Sequence, residues 1–231
     1  MVNLEQFSAR DPRVEIFVSE DAAFQNVATR LTSVISGSLT LRHDSNIVLS
    51  AGNSITKILG HLSKADVEWT RVHWFLADER YVPISDQQSN RLQIEKILRQ
   101  TLGPEFGEVL TADTTLSPSD AARDYASRIA AVNMFDLCVL SMGDDGHVAS
   151  LFPKSSTFGS QDLCCAVYDS PKPPGQRITM TTKAFASIPN RWLLAVGSKK
   201  ARAVSEYIRD NRTPVRQFDP TMIIADQAAY R

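Results

Sequence analysis

Long apolar runs are missing from this sequence of 231 residues. Stretches such as 135–140 fall far short of the roughly 20 apolar residues that a helix needs to cross a bilayer. The first residues, MVNLEQFSARDPRVEIF, hold neither the apolar centre nor the twin arginine of an export signal. Cysteine is scarce: Cys138, Cys164 and Cys165 make neither a disulfide framework nor a zinc spacing, and their odd number fits a reducing compartment. The expectation is a cytoplasmic protein with no membrane partner. Charge of one sign is missing too. Against 26 acidic residues stand 25 basic ones, for a formal net charge of -1, so no broad field would draw in nucleic acid. Neither G-x-G-x-x-G nor a Walker lysine occurs, which argues against a nucleotide site.

What is present is the pattern of a globular α/β chain. Hydrophobic residues make up 43% of the sequence, enough for a buried core. Short β-branched or aromatic runs predict strands at 14–18, 46–49, 72–77, 135–141, 164–168, 178–181 and 192–196. Amphipathic stretches predict helices at 21–39, 54–63, 89–102, 119–132 and 198–209. Ser117-Pro-Ser119 and Ser89-Asn90 read as helix starts. Leu137-Cys-Val-Leu140 is apolar on both faces, as a strand inside a parallel sheet is. The alternation predicts an open, mostly parallel twisted sheet with helices on both faces. Length suggests one domain over 1–231, with an irregular loop or small lobe at 152–176. There, Ser170-Pro-Lys-Pro-Pro-Gly175 carries too much proline for helix.

Three polar clusters fall just after predicted strands, and ligands of open α/β sheets bind outside those carboxyl ends. Ser50-Ala-Gly-Asn-Ser54 is a small-residue loop leading into a helix, suited to an anion but equally to a plain capped turn. Asp78-Glu-Arg80 sits between Phe75-Leu-Ala77 and Tyr81-Val-Pro83. A charge trio is usually solvated, but partly buried charges demand partners. Gly143-Asp-Asp-Gly-His147 is a tight turn that sets a histidine at the mouth of the sheet, where a neutral imidazole can act as general base. His43, His61 and His73 have no comparable neighbours.

These residues resemble a known family. FDLCVLSMGDDGHVASLFP (135–153), FLADERYVPISDQQSN (75–90), PPGQRITMT (173–181) and VGSKKA (196–201) are similar, in order, to the motifs of 6-phosphogluconolactonases, in the glucosamine-6-phosphate isomerase/6-phosphogluconolactonase family. The likeness covers most of the chain. The Asp-Gly-His turn continues here as Ala149-Ser-Leu-Phe-Pro153, without the glutamate typical of the related deaminases. The phosphate loop departs from the family pattern at Ala51, where a glycine is usual. A positive φ at that position would be strained.

The resemblance implies a Rossmann-like fold of the sugar-phosphate isomerase type. It implies hydrolysis of 6-phospho-D-glucono-1,5-lactone to 6-phospho-D-gluconate, in the pentose phosphate pathway, without metal or organic cofactor. His147 would be the general base, with Asp78 and Arg80 orienting the lactone. Ser50, Gly52, Asn53, Ser54, Arg177 and Lys200 would hold the phosphate, and Asn90, Gly143, Asp145 and Gly146 would also meet the substrate. The partner would be a small sugar-phosphate lactone and the assembly a monomer or homodimer. A glucosamine-6-phosphate deaminase and a non-enzymatic sugar-phosphate binder are the alternatives.

Overall fold

The computed structural model describes residues 11–62, 67–153, 155, 157, 159–209 and 213–230. Its elements in chain order are β1 (Val14–Phe17), α1 (Glu20–Leu41), β2 (Ser45–Leu49), α2 (Asn53–Gly60), β3 (Val72–Leu76), β4 (Asp78–Arg80), α3 (Asn90–Leu102) and β5 (Val109–Leu110). There follow α4 (Pro118–Ala130), β6 (Leu137–Ser141), β7 (Cys164–Val167), β8 (Arg177–Met180), α5 (Thr182–Ala186), β9 (Arg191–Ala195), α6 (Ala201–Arg209), α7 (Pro214–Phe218) and β10 (Met222–Asp226). Ser63, expected to end α2, lies outside the described residues. The expected 198–209 helix is divided into a 3-10 turn at Ser198–Lys200 and α6.

Seven strands form the main sheet in the order β1-β10-β9-β6-β2-β3-β5, and each neighbouring pair is parallel. Parallel strands buried on both faces need apolar residues at odd and even positions alike. That requirement divides the core in two. Ile47, Leu49, Leu137, Val139, Leu194 and Ile224 face α1, α2 and α3. The alternate residues Val48, Cys138, Leu140, Leu193 and Ile223 face α4, α6 and α7. Helix starts are capped where serine predicted them. Ser89 accepts from the Leu92 N–H and Ser117 from the Asp120 N–H.

The remaining strands depart from the simple alternation. The runs at 164–168 and 178–181 do not extend the parallel sheet; with β4 they form a second, antiparallel sheet in the order β4-β8-β7. Parallel neighbours need a crossover of about a dozen residues or more. The proline-rich link between Val167 and Arg177 is shorter than that, so the chain turns back as a hairpin. Residues 78–80, expected as a polar cluster just after a strand, are themselves the edge strand of this sheet. Ala77 ties the two sheets together, donating its N–H to Leu49 of β2 at 2.8 Å and accepting from Met180 of β8 at 2.7 Å.

The middle residue of β4, Glu79, points away from its neighbours Asp78 and Arg80 and is buried. Its Oε1 accepts the Asn90 N–H at 2.7 Å and its Oε2 the Arg91 N–H at 2.9 Å, at the start of α3. The Arg80 N–H adds a third bond at 2.7 Å. An internal carboxylate here meets the open N–H groups and positive end of the helix. Glu79→Ala should lower the unfolding free energy by about 2–4 kcal/mol, since buried donors lose a charged acceptor. Urea unfolding at neutral pH measures this, and a loss below about 0.5 kcal/mol, the scale of an ordinary surface change, would show that the cap contributes little.

Candidate active site

After β6 the chain turns on Gly143. Its N–H donates to the His147 carbonyl at 2.8 Å, and the Gly146 N–H returns to the Gly143 carbonyl at 3.1 Å. Gly146 has φ of +81°, a conformation that glycine adopts at little steric cost. At Gly143 the constraint is space. A Cβ there would lie 2.7 Å from Asp145 Oδ1 and would overlap the His147 imidazole. The turn folds the ring back over residue 143 and brings Nδ1 to 2.5 Å from Asp145 Oδ1. The His147 side chain is 17% exposed, with the Phe152 ring 4.7 Å away.

Burial works to raise the Asp145 pKa, but the hydrogen bonds and charge of His147, aided by Lys172, hold this carboxyl well below the usual range. An ionised carboxylate only accepts, so the hydrogen between the two residues belongs to Nδ1, and in the neutral form of the ring the Nε2 lone pair is the one left available. Asp144 is also held low, chiefly by its bond to Lys172. Lys200 is half-buried and faces Asp144, Lys172 and Asp145, while Lys199 is exposed. Burial lowers the Lys200 pKa and the two aspartates oppose that shift. Of the two adjacent lysines, the structure turns Lys200 inward.

The loop from Ser50 to Ser54 lies beside this turn. Ser50 is buried, and its hydroxyl accepts the Ser141 N–H at 3.1 Å, joining the ends of β2 and β6. Gly52 caps α2 with φ of +112° and no side-chain cap, so the first N–H groups of the helix, from Asn53 and Ser54, remain open to an anion. The strain expected at Ala51 does not arise. The positive φ falls one residue later, on the glycine that is present.

Behind the crevice is a buried polar relay. Asp78 Oδ2 accepts the Ser150 hydroxyl at 2.6 Å and stands 3.9 Å from Arg177 Nη1. Arg177, 3% exposed, donates from Nη2 to the carbonyls of Lys172 at 2.9 Å and Pro173 at 3.1 Å, and from Nε to Pro174 at 3.2 Å. Burial draws its pKa below the ordinary guanidinium value, against the pull of Asp78. Each of its nitrogens already faces an acceptor, so the expected phosphate contact does not suit this geometry. Asn90 is likewise buried and donates to the Asp78 carbonyl at 2.9 Å, supporting β4 instead of facing the crevice. Arg80, paired in register with Arg177, is partly exposed as a residue, while its Nε is buried and meets no acceptor among the described residues. Sequence reasoning missed Ser150, Lys172 and Thr179, whose hydroxyl takes the Ser150 N–H at 3.2 Å. Their motifs were visible; the burial of Ser150 and Thr179 and the reach of Lys172 to the glycine turn were not.

Among the described residues no group of three or more His, Cys, Asp or Glu side chains is placed to hold a metal ion, and no helix is long and apolar enough to cross a membrane. His43, His61 and His73 pair with Asp44 or Asp21, away from this turn.

A parallel sheet with a glycine-turn histidine and an open helix start at its carboxyl edge defines an α/β protein with a candidate site for an anionic ligand. The family model for glucosamine-6-phosphate isomerases/6-phosphogluconolactonase matches residues 18–227, and the chain belongs to that family. It is 35% identical over 211 residues to a 6-phosphogluconolactonase of Mycobacterium tuberculosis, covering 84% of this chain and 85% of that one. The crystal structure of a 6-phosphogluconolactonase from Thermotoga maritima superimposes with a TM-score of 0.82 at 29% identity, covering 93% of this chain and 100% of the other. A monomeric glucosamine-6-phosphate deaminase shares the fold, with a TM-score of 0.78 at 16% identity, over 95% of this chain and 100% of that one.

A carboxylate whose folded pKa is depressed adds stability above its unfolded pKa and loses it as pH falls through the folded value. The stability advantage of the wild type over Asp145→Asn should therefore be constant above about pH 5 and shrink below about pH 4. Paired urea titrations across that window check the sign. An advantage that grows in acid would mean that the carboxylate is not held low.

Proposed function

We propose that this chain is a 6-phosphogluconolactonase, opening 6-phospho-D-glucono-1,5-lactone to 6-phospho-D-gluconate with His147 as general base. The observation that carries this reading is the His147–Asp145 pair, held together by a glycine turn at the mouth of the sheet. Its setting is a chain whose relatives carry that enzyme's name. With Nδ1 committed to Asp145, Nε2 takes a proton from water as the water oxygen attacks C1. Arg80, a partly exposed guanidinium held only by a long 3.4 Å contact from Nη1 to the Gln88 carbonyl, is suited to the developing oxyanion. Collapse of the tetrahedral adduct breaks the C1–O5 bond, and the imidazolium returns its proton to the ring oxygen. The new carboxylic acid ionises to solvent.

The phosphate falls to Lys200 and to the open N–H groups of Gly52, Asn53 and Ser54, which combine a point charge with a helix start. Gly143 leaves the room that the His147 ring needs, and Gly146 supplies the positive φ of the turn that presents it to the sugar. Asp78 and Arg177 act from behind, through Ser150 and the 172–174 carbonyls, and Asn90 through β4. A lactone is an activated ester, and this set of groups supplies the base, the proton return and the charge stabilisation that its opening requires.

The lactone is generated with glucose-6-phosphate dehydrogenase, and its product followed with 6-phosphogluconate dehydrogenase, against the spontaneous rate. Wild type should accelerate opening, and His147→Asn should lose about 10²–10⁴-fold in kcat, the usual cost of removing a general base. No acceleration by the wild type, or ammonia release from glucosamine 6-phosphate instead, would overturn the assignment. For Lys200→Met the expectation is a KM raised roughly tenfold with kcat nearly unchanged, as for loss of one charge-assisted contact made equally in ground and transition states. An unchanged KM would remove Lys200 from the phosphate site.

A further inference from the structure

Asp145 has two carboxylate oxygens, and the structure uses both. Oδ1 receives His147 Nδ1, while Oδ2 stands 3.7 Å from the ammonium of Lys172, which also bonds Asp144. Lys172 arrives from the hairpin between β7 and β8, far along the chain from the glycine turn. We infer that Lys172 is a positioning residue for the base pair, held in place by a loop that the buried Arg177 clamps from beneath.

The loop is built for one conformation. Ser170 N–H donates to the Gly175 carbonyl at 3.0 Å and closes its neck. The Ser170 hydroxyl donates to the Lys172 carbonyl at 2.8 Å and accepts the Lys172 N–H at 3.3 Å. Pro171, Pro173 and Pro174 restrict φ and have no N–H of their own. Arg177 then fixes the three consecutive carbonyls of residues 172–174. A lysine usually loses much side-chain freedom when it holds one geometry, but here the backbone half of that ordering is already done. Lys172 thus reaches Asp144 and Asp145 from a rigid base and not from a free surface arm.

Its charge also has a chemical consequence. The charged groups around Asp145 are His147 and Asp144 on its own turn, Lys172 on the hairpin, and Lys200 after β9. Two neighbouring carboxylates would otherwise favour the protonated imidazole and leave less free base at moderate pH. Lys172 offsets one of those charges while steering Asp145 Oδ1 toward the ring.

This inference rests on the lactonase reading for its kinetic readout but not for its spectroscopic one. The variants are Lys172→Met, which keeps the length, and Lys172→Arg, which keeps the charge. In Lys172→Met the acid limb of the kcat/KM profile should move to higher pH by about half to one unit, as expected from removing one nearby charge. The ring resonances of His147, followed by NMR against pH, should move in the same direction, and Lys172→Arg should restore both. Unmoved His147 resonances in Lys172→Met would overturn the inference, whatever the activity. A raised KM at every pH with an unmoved limb would also overturn it, placing Lys172 on the substrate phosphate instead. If the wild type opened no lactone, only the lactonase reading would fail, because the NMR titration would still report on Lys172.

Discussion

A guanidinium taken out of water needs an acceptor for every N–H it carries, and at Arg177 that demand organises the region around the candidate site. The carbonyls of Pro173 and Pro174 belong to residues that cannot donate, and Arg177 supplies the donors from below. On its other side, the same guanidinium meets Ser150 and Asp78. One buried cation therefore connects the small antiparallel sheet, the proline loop and the segment that follows His147. Replacing its partners singly would strand a charge in the interior, which is far more costly than losing a surface ion pair.

The main sheet was legible in the sequence because its physics is local. A strand buried on both faces must be apolar at successive positions, and Leu137-Cys-Val-Leu140 is. The second sheet was not legible, since alternation identifies a strand without naming its partner. Nor did β5, with its two residues, or β10 stand out from their surroundings. At the candidate site, His147 stood out because its turn is made of glycines and sits after a strand. Arg177, Asp78 and Asn90 were read as facing a substrate because they are polar and lie in motifs. Burial reverses that reading, and burial is a property of the packed chain. Ala51 is the converse case: an apparent departure from the family pattern has no backbone cost, because the unusual φ belongs to Gly52.

Charge around the turn is balanced locally, in keeping with a chain whose total is near zero. Asp144 and Asp145 lie between Lys172 from the hairpin and Lys200 from the region after β9. These lysines come from loops of different sheets, so the electrostatic setting of His147 depends on both sheets being assembled. An unfolded chain holds all four groups but none of that setting.

Gly143 carries a consequence of another kind. The space beside its Cα is occupied by the imidazole of His147 and the carboxylate of Asp145. Adding a single methyl at that point deletes no titratable group, alters no charge and removes no hydrogen-bonding atom. It only takes away clearance. A chain altered there would possess the complete chemical inventory of the site while being unable to arrange it, which separates what the residues are from where they are allowed to be.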